Sequence, residues 1–219
     1  MLGTFLTAID WFGTAIFAVT GALVASRKRM DIFGFILLGC VTGMGGGTLR
    51  DAMLGALPVF WVREPIYLAI CVVVSAATFF LAHIPESRYR VLLWLDAAGL
   101  ALFCVVGADR ALTAGASSFI AVAMGVVTAT FGGVMRDILG GESPLLLRRE
   151  IYVTAALAGA AVFVELKVLA APDAIAAVLG FATCFVIRAL ALTYGWSLPV
   201  YRVRAGRTVE EVERLGRDR

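Results

Sequence analysis

The segment GMGGGTLRD at Gly43–Asp51 returns as ATFGGVMRD at Ala129–Asp137, 86 positions further on. The offset holds without a gap through Asp10/Asp96, Gly13/Gly99, Phe17/Phe103, Gly21/Gly107, Gly39/Gly125, Thr42/Thr128, Gly46/Gly132, Gly47/Gly133, Arg50/Arg136, Asp51/Asp137, Gly55/Gly141, Pro58/Pro144, Arg63/Arg149 and Glu64/Glu150. From 10/96 to 67/153, 20 of 58 aligned pairs are identical. Apolar helices share Ala, Leu and Val by composition alone, so the shared Gly, Pro, Arg, Asp and Glu carry the argument. In lipid, charge and backbone freedom are both costly. The chain reads as a duplicated membrane unit.

Hydrophobic residues make up 61% of the chain and charged residues 16%, with a mean hydropathy of +0.92. That balance lies far from the soluble average. A bilayer core of roughly 30 Å needs about 20 apolar helical residues. Runs of that order predict seven spans, near Thr4–Val24, Ile32–Leu57, Pro65–Ala82, Tyr89–Ala108, Ser117–Gly141, Ile151–Leu169 and Pro172–Tyr194. The expected organisation is a single membrane domain over 1–195, with one repeat over about 4–82, a second over about 89–169, a seventh helix at 172–194 and a basic tail at 196–219. The first span lacks the basic start and small-residue cleavage site of a signal peptide. Cys40, Cys71, Cys104 and Cys184 all fall inside spans without paired spacing, so they read as small packing residues rather than a disulfide or metal site.

With seven spans, the segments at 27–29, 88–90 and 136–149 and the tail from Arg202 share one side and hold most of the Lys and Arg, whereas the other side holds Arg50, Arg63, Arg110 and Lys167. The positive-inside rule then places the C-terminus in the cytoplasm and the N-terminus outside, in the cell's inner (plasma) membrane. Juxtamembrane Arg beside anionic lipid accounts for the net charge of +3, so no nucleic-acid partner is expected. An odd number of spans per repeat makes the second copy enter from the opposite face, an inverted-topology pair.

The expected fold is therefore all-α, with second and fifth spans broken at Gly43, Gly45, Gly46 and Gly47 and at Gly132 and Gly133. The competing reading of the same glycines is close helix packing, because Gly39, Gly43 and Gly47 form a small-xxx-small ladder. Thr42, Thr48 and Thr128 offer hydroxyls beside the glycines, although a membrane Thr usually bonds its own backbone four residues back. Arg50–Asp51 and Arg136–Asp137 follow each break. Neighbours at i and i+1 point apart on a helix, which sends each Arg in search of another carboxylate. Asp10 and Asp96 are the expected partners, pairing with Arg50 and Arg136 at the two mouths of one path. Arg188, inside the seventh span, has no partner that the spacing identifies. A nucleophile–base set, a metal cluster and a cofactor motif are all lacking, so catalysis is not expected.

The doubled Gly-Gly-x-x-Arg-Asp pattern, at 45–51 and 132–137 in a seven-span chain of this size, resembles bacterial members of the trimeric intracellular cation (TRIC) channel family, some of which carry a glycine-transporter label. The resemblance implies a homotrimer, one pore per protomer lined by kinked second and fifth spans, and passage of monovalent cations, chiefly K⁺ with Na⁺, without a bound cofactor. It assigns the helix breaks to Gly45–Gly47 and Gly132–Gly133 and the polar segments to Arg50–Asp51 and Arg136–Asp137. The alternative is a secondary transporter of a small amino acid such as glycine, whose carboxylate half-helix N-termini would hold.

Overall fold

The structure, a computed structural model, describes residues 2–84, 87–147, 150–199 and 206, with the backbone alone at 2–6. Arg148, Arg149 and the tail arginines from Arg202 lie outside the described residues. The elements are α1 (Leu2–Arg27), α2 (Ile32–Met53), a single turn α3 (Phe60–Arg63), α4 (Ile66–Leu81), α5 (Arg88–Thr113), α6 (Ser118–Leu139), a 3-10 turn at Leu145–Leu147, α7 (Val153–Val168) and α8 (Asp173–Tyr194). No strand occurs among the described residues; one isolated bridge joins Glu150 to Ser197.

Helices cover all seven expected spans, but not equally. Five are long and apolar enough to cross a bilayer: α1 from Thr7, α2, α5, α6 and α8. The other two, α4 and α7, have 16 residues each, about 24 Å at 1.5 Å per residue. They fall short of the predicted Pro65–Ala82 and Ile151–Leu169 at one or both ends.

Helix ends follow local chemistry. The Asp31 carboxylate caps α2 by accepting from the Gly34 N–H at 2.8 Å, and the Ser87 hydroxyl accepts from the Arg90 N–H at the start of α5. The C-termini of α2 and α6 close in the same way. The Ala56 N–H donates to the Asp51 carbonyl and the Glu142 N–H to the Asp137 carbonyl, each at 2.8 Å. This six-to-one bond turns the chain through a left-handed residue, Gly55 (φ 68°) or Gly141 (φ 64°), a conformation in which a Cβ is strained. The shared Gly55 and Gly141 are helix stops.

Packing also comes twice over. α1 lies on α2 and α4, and α2 on α4; α5 lies on α6 and α7, and α6 on α7. The two sets join through α1 against α5 and α2 against α6, while α8 covers α5 and α7. At the α1–α5 contact, Gly13 faces the Phe103 ring and Gly99 the Phe17 ring. Those two rings lie 5.1 Å apart. Residues paired by the 86-position offset thus meet one another or exchange partners. The largest apolar cluster runs through α5, α6, α7 and α8 around Leu100, Ala129, Phe163 and Cys184. Within this interior Arg136 and Arg188 are among the largest fully buried side chains.

Candidate functional site

α2 and α6 cross at their glycines. A Cβ on Gly46 would overlap the Thr128 carbonyl, and one on Gly132 would overlap the Thr42 carbonyl. As α2 advances from Thr42 to Gly46, its neighbours on α6 run back from Gly132 to Thr128, so the helices cross antiparallel. The helices themselves are unbroken: α2 is helical from Ile32 to Met53 and α6 from Ser118 to Leu139. The expected interruption at Gly43–Gly47 and Gly132–Gly133 is therefore corrected. Glycine here removes side chains so that two intact backbones touch. Gly39 and Gly43 instead make room for side chains of α4, the Ser75 hydroxyl and the Cys71 thiol. Gly45 differs, since a Cβ there would meet nothing nearer than the Gly132 Cα at 3.7 Å. It lines a groove of about 420 Å³ with Met44, Thr48, Phe131 and Met135.

The three threonines satisfy their own helices. The Thr42 hydroxyl donates to the Leu38 carbonyl, Thr128 to Met124 and Thr48 to Met44. Thr48 also accepts from the Trp61 indole at 3.0 Å. The proton of each of these three hydroxyls is thus held within its own helix, and the Thr48 oxygen also serves Trp61.

The charged residues gather beyond the crossing in two clusters. Arg50 and Arg136 each follow the crossing by about six residues, roughly 9 Å along the helix, in opposite directions because the helices are antiparallel. In the second cluster Arg136 donates from Nη1 to Asp96 Oδ1 at 2.8 Å and to the Thr20 hydroxyl at 3.1 Å, and from Nε to Asp137 Oδ1 at 2.9 Å. The expected Asp96–Arg136 pair exists and is fully buried. In the first cluster the expected Asp10–Arg50 bond does not form. Arg50 instead grips Asp51 Oδ1 through Nε at 2.9 Å and Nη2 at 2.8 Å. Asp10 accepts from the Tyr67 hydroxyl at 3.0 Å and from Arg110 Nη2 at 3.4 Å.

Both Arg–Asp neighbours therefore pair with each other, against the expectation from helical spacing. Cβ directions do diverge at i and i+1, but a guanidinium on three methylenes curls around the helix end. Each aspartate uses its second oxygen to hold the following chain: Asp51 Oδ2 accepts from the Phe60 N–H at 2.8 Å, and Asp137 Oδ2 from the Leu145 N–H at 2.9 Å. These bonds cap α3 and the 3-10 turn. The Arg-Asp motif is first of all a clamp between a helix end and the segment after it.

Each cluster also recruits an arginine from outside its own three helices. Arg110, at the end of α5, joins Asp10. Arg188, on α8, donates from Nη2 to Glu150 Oε2 at 2.6 Å and stands 5.2 Å from the Tyr152 ring centroid. Sequence reasoning left Arg188 without a partner and noted Glu150 only as the repeat mate of Glu64. The usable signal was that an intramembrane Arg requires a carboxylate and that Glu150 is the acid at the start of the sixth span. A pocket of about 200 Å³ opens at the first cluster, among Arg50, Asp51, Phe60, Arg63 and Arg110. Among the described residues no group of three or more His, Cys, Asp or Glu is arranged to hold a metal.

Crossed, glycine-seamed membrane helices with a buried ion-pair cluster beyond either side define a class: multi-pass α-helical membrane proteins with polar groups around an internal seam. Comparison with known proteins is specific. A family described as "Glycine transporter" matches residues 7–83 and 93–167. An inner membrane protein of Escherichia coli K12, of the UPF0126 group, is 41% identical over 195 residues, covering 88% of this chain and 94% of its own. A UPF0126 membrane protein of Vibrio cholerae is 40% identical over 200 residues, covering 90% and 82%. Among solved structures, the TRIC trimeric intracellular cation channel orthologue from Rhodobacter sphaeroides is 63% identical, with a TM-score of 0.87 over 88% of this chain and all of that one. A further TRIC cation channel structure is 33% identical, with a TM-score of 0.80 over 91% and 98%. The chain belongs to this family, the bacterial TRIC channels that also carry the glycine-transporter description, and has their fold.

Proposed function

We propose that this protein is a passive channel for monovalent cations, K⁺ and Na⁺, assembled as a homotrimer with one path per protomer between α2 and α6. The observation that carries the reading is the likeness, at 63% identity over 88% of the chain, to a trimeric intracellular cation channel. Supporting it are the antiparallel glycine crossing and a charge cluster at each end of it, the geometry of two three-helix units set head against tail, with α8 as an unpaired seventh span. In this arrangement the single membrane domain presents its N-terminus outside and its C-terminus in the cytoplasm.

The residues assigned to the path are Gly45 and Thr48 in the groove, Phe131 opposite them, and Asp10, Arg50 and Asp51 at one mouth with Asp96, Arg136 and Asp137 at the other. Carboxylates attract cations, and the paired guanidiniums keep each site from binding so tightly that an ion cannot leave. With α2 and α6 touching backbone to backbone, conduction requires the two intact helices to part along the glycine seam. Each glycine there costs about 1 kcal/mol of helix propensity relative to alanine.

The family description favours a second reading, transport of glycine. Purified protein in planar bilayers separates the two. Discrete K⁺ current steps are expected, diminished in Gly45→Leu, which narrows the groove while its Cβ meets the crossing only at ordinary contact distance, 3.7 Å from the Gly132 Cα. Saturable glycine uptake with no resolvable unitary current would transfer the assignment to the transporter.

A further inference from the structure

Six buried side-chain atoms have no hydrogen-bond partner among the described residues, and four of them belong to side chains grouped around Tyr152: Asp96 Oδ2, Arg136 Nη2, Tyr152 Oη and Arg188 Nε. Their residues are at most 1% exposed. None belongs to the first cluster. Unpaired buried polar atoms are expensive, and native interiors satisfy them with protein groups or ordered water.

Three of these side chains converge on the space in front of Gly133. A Cβ built there would lie 3.1 Å from Tyr152 Oη, 3.5 Å from Arg136 Nη2 and 3.5 Å from Asp96 Oδ1. The matching space in front of Gly47 is filled differently. There the Phe60 ring presses within 2.6 Å of the would-be Cβ and packs edge-on against Tyr67 at 4.7 Å. With that ring in place, the Tyr67 hydroxyl bonds Asp10 directly. The 86-position counterpart of Phe60 is Leu146, which is 37% exposed and fills no such place. The tyrosines also differ in register, since Tyr67 aligns with Val153 and Tyr152 with Ile66, and together these differences leave an aromatic ring in the space at one end and unpaired polar tips at the other.

We propose that Tyr152, Asp96, Arg136 and Arg188 hold ordered water in front of Gly133, so that this end of α6 is a buried hydration site while its counterpart is sealed by Phe60. The atom set selects the ligand. Arg136 Nη2 and Arg188 Nε only donate, Asp96 Oδ2 only accepts, and the Tyr152 hydroxyl does both. Water accepts and donates in the same way and typically makes about three such bonds when buried. A bare cation would face two guanidiniums, and an anion would face the carboxylates of Asp96 and Asp137. Asp96 and Arg136 also stand at one mouth of the proposed path, but density for the water is read whatever the protein transports.

The wild-type protein at about 2 Å resolution or better is the first test. Density for water within hydrogen-bonding distance of Tyr152 Oη and Asp96 Oδ2 is expected; a clear map with no such peak, or with a larger ligand in its place, overturns the proposal. The second test is thermal unfolding of Tyr152→Phe. A hydroxyl held by water should lower Tm by about 2–4 °C when removed, the shift of about 1 kcal/mol in a chain of this size. An unchanged or raised Tm means the hydroxyl was unpaired and the site dry. In a Gly133→Ala background, where a methyl takes the space, the same Tyr152→Phe change should no longer shift Tm; an undiminished shift also counts against the site.

Discussion

Arg136 concentrates the electrostatic problem of this fold in one side chain. It is wholly buried, bonds Asp96, Asp137 and Thr20, and serves three helices and the turn after α6. Removing one partner of a buried pair leaves the other charged and unsolvated, at about 3–5 kcal/mol. Asp96→Ala is therefore expected to destabilise by that amount. Asp10→Ala should cost less, because its partner Arg110 keeps 45% of its side chain exposed and stays hydrated when released. Unfolding followed by tryptophan fluorescence in detergent measures both; equal losses would contradict the difference in burial. Arg188 belongs with Arg136: Glu150→Gln should destabilise by a similar mechanism, although Glu150 is partly exposed and water softens the loss.

At the scale of the element, the α2–α6 seam depends on which glycine is altered. Gly46→Ala and Gly132→Ala each drive a methyl into the facing carbonyl. Overpacking of this kind costs about 1–3 kcal/mol, here with separation of the two helices. Gly45→Ala, with its nearest neighbour at 3.7 Å, should be neutral or stabilising by up to about 1 kcal/mol through helix propensity. Melting temperatures of the three variants, side by side, decide whether the glycines serve packing or only flexibility, since a flexibility role would make all three alike. The Arg-Asp clamps are a second element-scale device. Asp51→Asn and Asp137→Asn weaken the cap on α3 or on the Leu145–Leu147 turn together with the ion pair. Faster amide hydrogen exchange at Phe60 and Leu145 should report the change without global unfolding.

For the whole molecule, the proposed seven-span topology makes a prediction that no side chain controls. A reporter active only in the cytoplasm should work when fused to the C-terminus and fail at the N-terminus. Activity at both ends would make the number of crossings even and remove α8 as a seventh span. Native mass in detergent should show three copies, and stable monomers would detach the proposed path from trimer assembly.

Much of this architecture was legible before any coordinates. The helical membrane character, the positions of the helices and the Asp96–Arg136 pair follow from spacing, hydropathy and the cost of an unpaired charge in lipid, all properties local to the chain. The contacts were not legible. Whether Gly46 breaks a helix or seats a carbonyl depends on what lies opposite it, and that residue is Thr128, 82 positions away. Arg50 turns to Asp51 while Tyr67 and Arg110 share Asp10 Oδ2, and Arg188 finds Glu150 only because α8 folds back over α7. Sequence settles which groups must be satisfied; tertiary structure alone selects the partner, because several are within reach along the chain and packing leaves room for one.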